Sequence, residues 1–255
     1  MNFLVSASTD IGIKKETNQD SLMVKNIRTA KGNMVFAILC DGMGGLEKGE
    51  VASATLVNAF NTWLLNDFQQ LLSNGFDSTT LRNQWDAIIT EQNQRIMSYG
   101  KRQNVNLGTT AVIMLLTEEK YYIMNVGDSR AYEIEMYLKV LTQDQTVVAE
   151  EVRRGIITER QAEIDPRRSI LLQCVGASQK VFPDFFEGIL KKDSVYMLCS
   201  DGFRHEITSE EIRDAFHPSF LLDVNSMKER AVQLIELNKS RNETDNISVI
   251  LVRTY

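Results

Sequence analysis

The chain has 255 residues, a net charge of -6 and only three prolines, with no Ser/Gly-rich stretch or charge block that reads as a linker, so a single domain spanning 1-255 is expected. The acidic balance argues against nucleic-acid binding, which needs a basic face to displace counterions, and no apolar run approaches the roughly 18 residues of a membrane span. Cys40, Cys174 and Cys199 stand among apolar neighbours without Cys-x-x-Cys spacing, so buried thiols rather than disulfides or zinc ligands are expected, which with the absence of a basic-led apolar leader points to a cytoplasmic protein.

Phe3 to Ser8 reads as a first strand, followed by the polar loop Asp10 to Gln19 and a second strand, Ser21 to Ile27. Lys31-Gly32-Asn33 turns into Met34 to Cys40, seven apolar residues without alternation, which suits a strand covered on both faces. The run stops at Asp41, followed by Gly42-Met43-Gly44-Gly45. Asp-Gly is a common hairpin signal, but Glu47 to Glu50 lead into a helical pattern instead of a second strand. Asp41 is thus placed at a strand-to-loop junction, where functional carboxylates are common.

Val57, Phe60, Leu64, Phe68 and Leu71 step by three and four, predicting an amphipathic helix from Glu50 to Leu72. Leu81, Trp85, Ile88, Gln92 and Ile96 predict a second, with Ser78 as N-cap and Gly100 as stop. Thr109 to Leu116, Tyr121 to Val126, Arg130 to Glu135 and Leu138 to Leu141 read as four strands, and their short connections predict an antiparallel meander. Asp144 to Gly155 and Thr158 to Glu163 read as short helices, and Asp165-Pro166 breaks the pattern ahead of Ile170 to Val175. Val181 to Ile189 and Val195 to Ser200 return to strands, and the second ends in Asp201-Gly202, repeating the Asp41-Gly42 arrangement. Thr208 and Glu211 have capping-box spacing, Met227, Ala231, Leu234 and Ile235 share a helix face, and Asp245-Asn246 opens a last strand, Ile247 to Val252. Strands and helix pairs without regular alternation indicate an α+β layered fold.

Asp41, Asp128, Asp201 and Asp245 all adjoin apolar strands, and their carboxylates converge at one rim if those strands share a core. Like charges gathered there repel and take up protons unless a cation compensates. An all-oxygen cluster suits Mg²⁺ or Mn²⁺. Three aspartates and a hydroxide carry about -4, which balances two divalent ions roughly 3.5 to 4 Å apart in a hydrolytic centre. A strand-end Asp also serves simply to cap a turn. Other chemistries lack their residues: there is no Gly-x-Ser-x-Gly elbow or Walker glycine loop, and His205 and His217 are the only histidines.

Thr17-Asn18-Gln19-Asp20, Asp41-Gly42-Met43-Gly44-Gly45, Gly108-Thr109-Thr110, Val126-Gly127-Asp128-Ser129-Arg130, Ser200-Asp201-Gly202 and Asp245-Asn246-Ile247-Ser248 follow one another in this order. With these blocks the sequence resembles, nearly end to end, the metal-dependent protein phosphatases of type 2C, particularly their bacterial serine/threonine members. The resemblance implies a four-layer α-β-β-α sandwich of two antiparallel sheets flanked by helix pairs, with a binuclear Mn²⁺ or Mg²⁺ site at one edge. It implies hydrolysis of phosphoserine and phosphothreonine in proteins by direct attack of a metal-bridging hydroxide. Asp41 would bridge both ions, Asp201 and Asp245 would hold the first, and the Gly42 carbonyl the second. Asp20 would act through a metal-bound water, with Gln19 and Asn246 as supporting neighbours. Residues 144-179 take the place of the family's flap beside the substrate cleft. Phosphorylated proteins, among them a cognate Ser/Thr kinase and its substrates, are the implied partners of a monomer.

Three positions depart from the family pattern. Lys15 stands where an Arg usually grips the substrate phosphate, Gln145 where the flap usually begins with His, and His205 where many members supply an Asp to a third metal together with the equivalents of Asp128 and Asp201. These departures admit a second reading, a phosphoprotein-binding pseudophosphatase that senses without hydrolysing.

Overall fold

The reason β3 shows no polar alternation is that both of its faces are covered. Met34, Phe36, Ile38 and Cys40 point into a helix-covered core, while Val35, Ala37 and Leu39 point into a layer shared with a second sheet. The computed structural model describes residues 1–30, 32–44 and 48–255, so Lys31 of the expected turn and Gly45 and Glu47 beyond Asp41 lie outside the described residues.

In chain order the strands are β1 (Phe3–Asp10), β2 (Ser21–Thr29), β3 (Gly32–Cys40), β4 (Gly42–Gly44), β5 (Leu107–Thr109), β6 (Ala111–Leu116), β7 (Lys120–Val126), β8 (Arg130–Ile134), β9 (Leu138–Val140), β10 (Asp184–Ile189), β11 (Val195–Cys199) and β12 (Ile247–Thr254). The helices are α1 (Gly49–Asn66), α2 (Phe68–Ser73), α3 (Ser78–Gln103), α4 (Val147–Arg153), α5 (Glu159–Glu163), α6 (Ser209–Phe216) and α7 (Val224–Ser240). One antiparallel sheet runs β1-β12-β11-β8-β9 and a second runs β10-β7-β6-β3-β2. Between them lies an apolar layer that includes Val35, Leu39, Met114, Tyr196, Leu198 and Ile250. Leu56, Phe60 and Trp63 of α1 and Trp85 of α3 cover the outer face of the second sheet. Phe216 of α6 and Met227, Ala231 and Leu234 of α7 cover that of the first. The architecture is the expected α-β-β-α sandwich.

Helices α3 to α7 each begin with a side-chain oxygen on an otherwise orphaned N–H, whereas α1 and α2 do not. Thr208 and Glu211 form the expected box, with Glu211 N–H donating to Thr208 Oγ1 at 3.2 Å and Thr208 N–H to the Glu211 carboxylate at 2.8 Å. At α3, however, the cap is Asp77, whose carboxylate accepts from Thr80 N–H at 2.8 Å, and not Ser78. The expected helix to Leu72 is interrupted at Asp67, beyond which Phe68 turns inward onto Trp63. Its buried stripe is Ala52, Leu56, Phe60 and Trp63, flanked by the half-buried Val57 and Leu64.

Two corrections bear on the site. The four central strands are not one meander: β6 and β7 pair in the second sheet and β8 and β9 in the first, so Gly127-Asp128-Ser129 carries the chain from one sheet to the other. Ile170 to Val175 makes only single bridges, Leu171 to Thr146 and Val175 to Thr109. All three cysteines are buried and free, and among the described residues no helix is long and apolar enough to cross a membrane.

Gly100 does not end α3, which runs on to a left-handed Asn104 at φ 54°. It is glycine because a Cβ there would stand 2.7 Å from the Val105 carbonyl oxygen and 2.8 Å from Leu107 Cδ2. Alanine at a helix interior is ordinarily about 1 kcal/mol better than glycine. Here Gly100→Ala is expected to destabilise by about 1–3 kcal/mol, as overpacking does. A urea midpoint equal to or above that of the parent protein would show that the contact relaxes freely.

Candidate metal centre

Antiparallel pairing brings four acidic residues to one rim. β11 ends where its neighbour β12 begins, with Cys199 paired to Val249, so Asp201 leaves one strand beside the point where Asp245-Asn246 enters the other. Ser200 N–H donates to Ser248 O at 3.1 Å, and Ser248 N–H to Ser200 Oγ at 3.0 Å. Asp41 ends β3 in the opposite sheet, and its backbone is fixed on both sides. Its N–H donates to Thr110 Oγ1 at 3.0 Å, and its carbonyl accepts from Thr110 N–H and Thr109 Oγ1 at 2.9 Å each. Thr110 Oγ1 in turn meets Ser129 Oγ at 2.7 Å, which ties Asp41 to the crossover that carries Asp128. Thr109, Thr110 and Ser129 have no role assigned to them by spacing alone, although the Gly108-Thr109-Thr110 and Val126-Gly127-Asp128-Ser129-Arg130 blocks mark their places.

The loop between β1 and β2 is strapped over this rim by two amides. Asn246 Oδ1 accepts from Gln19 N–H at 2.8 Å, while its Nδ2 donates to Ile11 O at 2.9 Å and Thr17 O at 3.3 Å. With its amide turned so that both polar atoms are satisfied, the Gln19 side chain donates to the Gly42 carbonyl and accepts from Gly49 N–H, both at 3.2 Å. Gly42 can only be glycine, since a Cβ would stand 2.4 Å from the carbonyl oxygens of Gln19 and Gly49. The strapped loop brings in Asp20 and also Lys15, whose ammonium lies 2.9 Å from Asp245 Oδ1. Burial works against the charge on Lys15, but its hydrogen bond to Asp245 and the charges of Asp245, Asp41 and Asp201 outweigh it and raise its pKa.

Asp41, Asp128, Asp201, Asp245, Gly42 and Lys15 all line one cleft of about 430 Å³, which Ser169 and Leu171 border from the segment after α5. Burial, and then the charge of the neighbouring aspartates, raises the Asp41 carboxyl well above its ordinary range. Burial with the charges of Asp201 and Asp245 pushes Asp20 up to about 7, and burial with Asp201 pushes Asp128 up to about 7 against the pull of Arg204. Both Asp20 oxygens and Asp201 Oδ1 are buried without a hydrogen-bond partner. Orphaned carboxylate oxygens in a shared acidic cleft are the donor set of a hard cation, and Gly42 retains a carbonyl lone pair beyond the one facing Gln19. Among the described residues no three acidic, His or Cys side chains are drawn into one compact ligand cage. Mg²⁺ needs none, because it keeps several waters and takes only one or two carboxylates. The residues present therefore fit a hard divalent cation.

The remaining candidates are placed differently. Gln145 is buried and faces away from the acids: its Nε2 donates to Asp184 at 2.8 Å, and its Oε1 accepts from Gly127 N–H at 2.8 Å and from Gln173 Nε2 at 2.9 Å. It braces the crossover, β10 and the 144–179 segment together. His205 is turned between Asp201 and Glu243, 3.5 Å from each. Arg204, not singled out in the sequence, is inserted beside Asp128.

Comparison with known proteins agrees with this geometry. The family model described as Protein phosphatase 2C matches residues 13–236. The serine/threonine phosphatase stp of Listeria welshimeri is 33% identical over 248 residues, which are 96% of this chain and 93% of that protein. The crystal structure of serine/threonine phosphatase Stp1 from Staphylococcus aureus superposes with a TM-score of 0.85 at 27% identity, covering 100% of this chain and 96% of that one. The catalytic domain of serine threonine protein phosphatase PstP, crystallised with two manganese ions, superposes with a TM-score of 0.78 at 25% identity over 99% of both chains.

If the acids repel as their raised pKa values imply, Asp41→Asn should melt higher than the parent protein in chelator and gain less from Mn²⁺, because ligand linkage scales with affinity for the folded state. Parallel melting curves with and without Mn²⁺ test this. A variant that melts lower in chelator and gains as much from the ion as the parent assigns Asp41 to the turn alone.

Proposed function

The chain belongs to the protein phosphatase 2C family, and from that membership and the acidic cleft we propose that it hydrolyses phosphoserine and phosphothreonine in proteins, using two divalent ions held by Asp41, Asp201, Asp245 and the Gly42 carbonyl. The observation that carries the reading is the convergence of four strand-end aspartates from both sheets on one cleft, with Asp201 Oδ1 left unpartnered. Bound Mn²⁺ or Mg²⁺ would supply a water made nucleophilic at neutral pH and would neutralise charge on the phosphoryl oxygens. The net reaction adds water across the phosphorus–oxygen ester bond, releasing inorganic phosphate and the free side-chain hydroxyl.

The protein's own groups orient that reaction. Lys15 stays protonated and, among the described residues, is the cation that lines the cleft, so it is placed to meet a phosphate dianion once Asp245 is engaged. As an ammonium it acts as a point charge rather than a two-pronged guanidinium. Asp20, buried behind the cleft-lining acids and raised to about 7 by burial and the charges of Asp201 and Asp245, is the residue we assign to orient and exchange a proton with water there. Asn246 and Gln19 hold both residues in place through the strapped loop. Residues 144–179 act as the flap, with Ser169, Leu171 and Ala177 at the cleft wall, and so take part in choosing the phosphoprotein. A cytoplasmic monomer acting on a Ser/Thr kinase and its substrates completes the reading.

Release of phosphate from a phosphothreonine peptide should require Mn²⁺ or Mg²⁺, stop with chelator and be abolished by Asp41→Asn. Peptide binding without turnover under every metal condition would favour the sensor reading instead. A charge-assisted hydrogen bond is worth roughly 1.5 to 3 kcal/mol, so Lys15→Ala should lower kcat/KM by about ten- to a hundredfold and Lys15→Arg should retain it. Unchanged kinetics in Lys15→Ala would leave the residue as a solvated loop lysine.

A further inference from the structure

We infer that the guanidinium of Arg204 occupies the place of a third cation, so that this chain holds two metal ions and not three. The inference rests on the two-ion centre proposed above and concerns the Asp128 side of the same cleft. A third ion there would need the Asp128 carboxylate together with Asp201 and His205.

Asp128 already faces a fixed cation. Arg204 Nη2 donates to the Asp128 carbonyl at 3.0 Å and stands 4.0 Å from its carboxylate Oδ2. The same nitrogen lies 3.4 Å from Asp144 Oδ2, and Asp144 is gripped by Arg130 through two bonds of 2.7 Å each. Arg204 also sits in the turn after Asp201, its N–H bonded to the Asp201 carbonyl at 2.9 Å. Its side chain is only 14% exposed and its Nε is buried without a partner. A guanidinium cannot lose its proton to make way for a metal, and this one is held through Nη2 by the Asp128 carbonyl and the Asp144 carboxylate. A divalent ion on Asp128 would be placed against a fixed positive charge in a desolvated setting, where like charges repel strongly.

The charges around Arg204 are complementary as they stand. Asp128 and Asp144 face it, Arg130 approaches only across Asp144, and His205 on the next position is directed to Asp201 and Glu243. The arrangement also links the acidic cleft to the first residue of the 144–179 segment. Within this network Arg204 is a positioning residue that fixes Asp128 without touching substrate.

The test counts ions. Calorimetric titration with Mn²⁺, checked by elemental analysis, should find two ions per chain in the parent protein and two in Asp128→Asn. Arg204→Gln, which leaves Asp128 uncompensated, should gain a third and weaker site, and Arg204→Gln with Asp128→Asn should lose it again. Three ions in the parent falling to two in Asp128→Asn would overturn the inference, as would a folded Arg204→Gln that still binds only two. Should Arg204→Gln fail to fold, the parent and Asp128→Asn counts decide the matter on their own. Absence of any bound ion would overturn the metal centre and this inference with it, and is distinguishable from a count of three, which overturns the inference alone.

Discussion

The structure depends on holding carboxylates together that repel one another. Burial and mutual charge raise Asp41, Asp20 and Asp128 at once, so the site pushes outward on the backbone that carries it. The response is to fix that backbone rather than the side chains. Thr109 and Thr110 clamp Asp41 on both its amide and its carbonyl, and Asn246 draws the loop with Asp20 onto the entry to β12. Both Asp20 oxygens and Asp201 Oδ1 are left without a partner, which is the condition for binding a cation and a poor one for stability in its absence.

Because Asp41 and Asp128 adjoin the second sheet while Asp201 and Asp245 belong to the first, the width of the cleft is set by the apolar layer between the sheets. Facing sheets pack about 10 Å apart, and here the spacers are residues such as Leu39 and Val35 against Leu198 and Ile250. Packing in that layer and geometry at the rim are therefore one problem. A void in the middle of the sandwich would let the two pairs of acids approach or separate without any change at the acids themselves.

Much of this was legible in the sequence, for reasons that can be named. Met34 to Cys40 has no polar alternation because helices cover one face and a sheet the other, and strand-then-Asp-Gly recurs because two different sheets end at the same rim. What escaped was set by distant partners. Short connections suggested one meander, yet Gly127 takes a φ of +99° and the chain changes sheets there. Ser78 is as good a cap as Asp77 by composition, and the choice follows from which oxygen reaches Thr80 N–H. Gly100 looked like a stop because its close neighbours, Val105 and Leu107, return only after the helix has ended. Arg204 pairs with Asp144 and Asp128, 60 and 76 residues away, and no local pattern announces such a bond. Gln145, a departure from the flap-opening His that the sequence resemblance implies, serves as a brace, a role visible only once Gly127, Gln173 and Asp184 surround it.

The buried cysteines have a consequence for redox sensitivity. Burial raises Cys40, Cys174 and Cys199, the last to about 12, and the thiolate is the form that peroxides attack. At neutral pH the protein thus offers no reactive thiol, and its proposed chemistry uses none. Among the described residues the sulfur-bearing side chain that lines the cleft is instead Met43, whose oxidation gives a polar sulfoxide that reductases reverse. Oxidative damage to this site would then be a change in the wall of the cleft, repairable by a methionine sulfoxide reductase, and not the loss of a nucleophile.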